Sequence, residues 1–164
     1  MVWGLNLTTT VYYWAPHGNQ VGHVAVGVRG NFGQAYISWW PKDEGKMDTS
    51  GKLKSVVIGV PGIGYTLAQD IAGEGDRQPI MTTLEGLNEA AIIAWWRTFK
   101  FTDWSLLRVS CAQVAVEALR AGAAGDHVST VSGWLSGWQA TYWKPMEVHL
   151  YAQHVKSGLA GKAP

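Results

Sequence analysis

The chain has 164 residues, 47% of them hydrophobic, with a formal net charge of +1, which suits one compact domain over residues 1–164. Dispersed lysines and arginines form no basic stripe, arguing against nucleic acid as a partner, and no run of about 18 apolar residues is present to form a transmembrane segment. Residues 1–10 lack the basic stretch and apolar core of a Sec signal, and the single cysteine, Cys111, excludes an internal disulfide and a CxxC metal or redox site.

Residues 7–14 are rich in Thr, Val and Tyr, as strands are, and the APHGN stretch at 15–19 breaks the run. Residues 21–29 (VGHVAVGVR) alternate, with Val24, Val26 and Val28 on one face and His23, Ala25 and Gly27 on the other. His23 thus shares its face only with small residues, which leaves room beside the ring. The GNFG turn at 30–33 leads into a return strand over 34–40 (QAYISWW), ended by Pro41 and pairing antiparallel with the first.

Residues 42–54 read as a polar surface loop and residues 53–60 as a strand-like apolar run, stopped by PGIG at 61–64. Residues 70–79 (DIAGEGDRQP) are too poor in apolar side chains for the core and read as a loop close to the bound substrate. A helix is expected over 85–100, with Leu87, Ala91, Ala94 and Trp95 as its apolar stripe. A second spans about 110–121, stopped by Gly122, with Val114, Val116, Leu119, Ala115 and Ala118 facing the core. Residues 129–139 are rich in Ser, Gly and Trp without a clear period. KPME at 144–147 opens a last short helix through residues 151–155, leaving a frayed tail at 157–164. Ten tryptophans, paired at Trp39-Trp40 and Trp95-Trp96, make either an aromatic core or an exposed groove, and the core is the commoner use.

Ser110 is a good N-cap, so Cys111 falls in the first turn of its helix. Unpaired backbone N–H groups and the positive end of the helix dipole stabilise a thiolate there, and the same N–H groups can hold an oxyanion. A thiolate nucleophile takes a histidine as base, itself oriented by a third polar group. His23, inside a strand, is the best placed of the five histidines; His17 and His127 fall in loops, and His149 and His154 in the late helix. A lone cysteine at a helix start more commonly serves packing, and the competing reading is a non-catalytic binding or adaptor module with Cys111 buried.

The order GHVAVGV, YISWWP and SCAQVAVEALRAG resembles the circularly permuted papain-like group, which includes the lecithin:retinol acyltransferase and permuted NlpC-type families. WKPMEVHLYA and GLNEAAIIAWW resemble a branch found in secreted bacterial toxins, including type VI secretion effectors. The resemblance implies an α+β fold: a small antiparallel sheet packed against the helix that begins at Cys111. It implies catalytic roles for Cys111 and His23, with Ser38 standing where acyltransferase relatives carry a second histidine. Gln34 and Tyr36 share its face by alternation and remain alternatives. The implied activity is hydrolysis of an amide or ester through a thioester, without cofactor or metal, by an effector delivered to a target cell without a Sec signal. Its substrate would be peptidoglycan, protein or lipid, with lipid acyl transfer as a further alternative and an immunity protein as a possible partner.

Overall fold

The computed structural model describes residues 7–31, 33–44, 47–99, 102–128 and 142–161. The main sheet has four antiparallel strands in the order β3-β2-β1-β6: β1 (Thr8–Trp14), β2 (His23–Gly30), β3 (Gly33–Ile37) and β6 (Ile80–Leu84). Valine alternation in β2 sets which face is covered. Val24 lies opposite Tyr13 and Val26 opposite Val11, while Val11 faces Thr82 on the other side, and all five are buried. Against this face pack α3 (Glu89–Phe99), α4 (Cys111–Ala121) and α5 (Pro145–Ala160). The expected α+β class, with a small antiparallel sheet against the cysteine-bearing helix, is therefore the observed one.

The helix α4 follows its sequence signals closely. Ser110 is extended and its side chain accepts the N–H of Gln113 at 3.3 Å, and Gly122 caps the other end. Val114, Ala115, Val116, Ala118 and Leu119 are all buried, as expected. Each fully buried Val or Leu contributes about 1.5–3 kcal/mol, so this helix is a fixed platform for its first residue.

Several elements differ from the sequence reading. The return strand is two strands: β3 stays on β2 as far as Ile37, which faces Val26, and β4 (Trp39–Pro41) pairs with β5 (Gly62–Gly64). Gly62 is required there, because a Cβ would run into the Trp39 ring. Residues expected to be a loop and then a strand form the helix α1 (Thr49–Val57), capped by Asp48, whose Oδ1 accepts the Gly51 N–H at 2.7 Å. A short apolar run is ambiguous between strand and helix, and the Asp cap decides it.

Strand β6 is an addition to the sequence reading, and helix α3 begins after it, at Glu89; Ile92 and Ile93 are its buried positions, while of the expected stripe Leu87 is buried just ahead of the helix, Trp95 packs on the core, Ala91 is half-buried and Ala94 is exposed. The expected frayed tail is helical as far as Ala160, because Val148, Tyr151, Ala152 and Val155 continue a buried stripe that Leu159 extends. Residues 129–139 lie outside the described residues. Among the described residues, no helix is long and apolar enough to cross a membrane.

Candidate functional site

His23 opens β2 and is 2% exposed. Ser38 sits at the switch between the two sheets, and that change of partner turns its side chain toward the imidazole: His23 Nε2 and Ser38 Oγ are 3.0 Å apart. Behind both stands Asp70, completely buried, with Oδ2 at 3.3 Å from His23 Nε2. Ser38 donates its hydroxyl proton to Asp70 Oδ1 at 2.8 Å. Nε2 therefore faces only acceptors and must carry a hydrogen in either charge state of the ring. Nδ1 is left for Cys111, whose thiol acts on the ring through both charge and a hydrogen bond.

Asp70 is carried by α2 (Leu67–Gly73), which a capping box starts: Thr66 Oγ1 accepts the Gln69 N–H, and Gln69 Oε1 accepts the Thr66 N–H. In the first turn of α2 its carboxylate also meets the positive end of the helix dipole. Two more donors converge on it: the Tyr36 hydroxyl at 2.6 Å to Oδ2 and the Trp40 indole N–H at 2.7 Å to Oδ1. Expecting residues 70–79 to be a loop outside the core is thus corrected at Asp70 and at Glu74, which is 2% exposed and bound by Arg77 at 2.8 Å. Polar side chains enter a core when they are fully partnered. The remaining loop does lie near the site. Trp14, beside His23, donates its indole N–H to the Arg77 carbonyl at 2.8 Å.

The room expected beside the His23 ring is filled from neighbouring strands. Trp40 lies at 4.4 Å between centroids and Trp14 at 5.6 Å, and Tyr65 stacks on the outer side of Trp40 at 5.4 Å. Burial drives the His23 pKa down, but the charge of Cys111 and the hydrogen bond and charge of Asp70 more than reverse it, to about 10. For Asp70, burial favours the neutral acid, yet bonds to His23, Tyr36 and Ser38 hold its pKa below the usual carboxylate value. Tyr36 is pushed upward by burial and by the Asp70 charge.

Cys111 is the first residue of α4 and only half-buried. By helix geometry its N–H and that of Ala112 have no intrahelical acceptor. Tyr142 is close enough that burial first, and then the Cys111 charge, raise its pKa.

Of the proposed site residues, Cys111, His23 and Ser38 are brought together. Tyr36 joins through Asp70, and Gln34 does not join, being exposed opposite Arg29. Asp70 escaped the sequence reading; the signal that could have found it is the TxxQ capping box four residues before it. Replacing Trp40 by Phe keeps the ring beside His23 but removes one donor from a buried carboxylate. That loss is expected to cost about 2 kcal/mol, read as a lower urea midpoint at unchanged m-value.

The family model of the IcsB middle domain matches residues 60–162, a span that contains α2 with Asp70 and α4 with Cys111 and leaves out the hairpin bearing His23 and Ser38. No curated protein and no solved structure matches the chain. With most of its length inside that match, the chain belongs to the IcsB middle-domain family, a bacterial effector domain.

Proposed function

We propose that this protein is a cysteine-dependent hydrolase on the permuted papain-like plan, with Cys111 as nucleophile, His23 as base, and Ser38 and Asp70 holding the imidazole. The observation that carries the reading is the buried His23, bound on one nitrogen by Ser38 and Asp70 and acted on by the half-buried Cys111 thiol.

In the proposed reaction His23 takes the Cys111 proton, or already holds it in an ion pair, and Sγ attacks an amide or ester carbonyl carbon. The N–H groups opening α4 hold the oxyanion. The imidazolium then protonates the departing amine or alcohol, leaving an acyl thioester on Cys111. Water, losing a proton to His23, attacks the thioester, and the acid departs as the thiolate is restored. Asp70 remains ionised throughout and stabilises the imidazolium, as the carboxylate of a catalytic triad does. Ser38 alone would be a weak third member; a serine backed by a carboxylate is a stronger one. Membership of an effector family supports delivery to a target cell, where peptidoglycan, protein or lipid would supply the acyl bond.

The test is a generic activated ester. Incubated with p-nitrophenyl butyrate, the parent protein should acquire one butyryl group on Cys111, seen by intact mass and removed by hydroxylamine. Cys111→Ser and His23→Ala should acquire none on the same timescale. Equal labelling of His23→Ala would reject the dyad and leave the binding-module reading in its place.

A further inference from the structure

A pocket of about 440 Å³ lies at the opposite end of the molecule from Cys111, between the β2-β3 turn, the start of α3 and the end of α4. Gly30 lines it at the far end of β2 from His23, and Gly122 at the far end of α4 from Cys111, so the separation is roughly 20 Å at the rise of a strand. Glu89 also lines it. The side chain is 4% exposed, and its Oε1 is buried without a hydrogen-bond partner. A second lining residue, His127, likewise has a buried Nδ1 with no partner.

An ionised carboxylate removed from water without a cation or donor is strongly disfavoured. Among the described residues no ion pair reaches Glu89. Burial accordingly raises its pKa, against a smaller opposing effect of its own backbone N–H. Helix ends of both signs meet in the pocket: the C-terminal end of α4 at Gly122 and Ala123, whose Gly122 carbonyl already accepts the Asn88 N–H at 3.1 Å, and the start of α3 at Glu89. The orphaned Glu89 oxygen, with the unpartnered His127 ring nitrogen on the same pocket, asks for a group that brings N–H donors and, opposite a carboxylate, positive charge.

We propose that this pocket binds a small organic cation bearing a primary ammonium or guanidinium group, which the buried Glu89 carboxyl receives with the His127 ring beside it. A metal ion is the poorer occupant, since the described residues contain no group of three His, Cys, Asp or Glu side chains able to hold one. The site is separate from Cys111 and does not depend on the chemistry proposed there.

The experiment titrates butylammonium into the ¹⁵N-labelled full chain at pH 7, with tetramethylammonium as a control that has the charge but no N–H. Butylammonium should shift the amide resonances of Gly30, Asn88 and Ala123 saturably, in the millimolar range, and tetramethylammonium about tenfold more weakly. Glu89→Gln should abolish the shifts and His127→Ala weaken binding about tenfold. Ligand-free Glu89→Gln should also melt higher than the parent, by about 4 °C, because the buried side chain is then neutral at every pH. The proposal is overturned if the two cations act alike, if butylammonium gives no saturable shift, or if Zn²⁺ alone moves these resonances. It is overturned equally if Glu89→Gln binds unchanged or melts lower.

Discussion

At pH 6, His23→Ala is expected to slow alkylation of Cys111 by iodoacetamide about a hundredfold, the lower end of what a positioned acid or base contributes. The thiolate is the reactive form, and the charge of Cys111 and the carboxylate of Asp70 hold His23 as imidazolium well above its ordinary range, to about 10. Removing the ring removes the positive charge beside the sulfur while leaving α4 and its cap intact. With one cysteine in the chain, intact mass reads the reaction without ambiguity. The reciprocal experiment follows the His23 imidazole by NMR. In the parent it should titrate near pH 10, and in Cys111→Ser at lower pH, since the foremost influence raising its pKa is the Cys111 charge. Equal alkylation rates in parent and variant would sink the ion pair, whatever the ester test shows.

Asp70→Ala should be the most damaging single substitution in stability, at about 3–5 kcal/mol, or roughly 10 °C in Tm for a chain of this size. Four donors lose their acceptor together: His23 Nε2, Ser38 Oγ, Tyr36 OH and Trp40 Nε1. A urea titration measures the loss. A cost under about 1 kcal/mol would mean that water or another acceptor satisfies these groups.

The same network sets the pH range of stability. The Asp70 pKa is lowered on folding, so its contribution is present above about 3.8 and is lost as pH falls through the folded value. The His23 pKa is raised, so its contribution is complete below about 6.5 and disappears as pH rises through about 10. Stability from this pair is therefore greatest between about pH 4 and 6.5. In Asp70→Ala the acid-side loss should vanish, and the alkaline-side loss should move to lower pH.

Local signals were legible wherever one residue type fixes one backbone event. The Ser110 cap and the Gly122 stop bound α4 where they were expected to, and the valine alternation of β2 put the right side of that strand under the helices. The proximity of Cys111 and His23, 88 positions apart in the chain, was reached through the resemblance to permuted papain-like proteins, because spacing along a chain does not encode an encounter between distant segments. In residues 53–60, by contrast, a short apolar run without alternation satisfied either period, and the Asp48 cap turned it into helix.

The sequence by itself determined the strand bearing His23 and the helix opening at Cys111, since periodicity and caps act within a few residues, and the resemblance that these motifs carry implied the fold class. Only the tertiary structure decided the third member of the cluster. Ser38 reaches His23 because the return strand changes sheets at that point, and Asp70 does so because a two-turn helix carries a carboxylate into a core that composition says it should avoid. A charge is tolerated in the interior when its partners are in place, and those partners, Tyr36, Ser38, Trp40 and His23, come from segments more than 25 residues away in the chain.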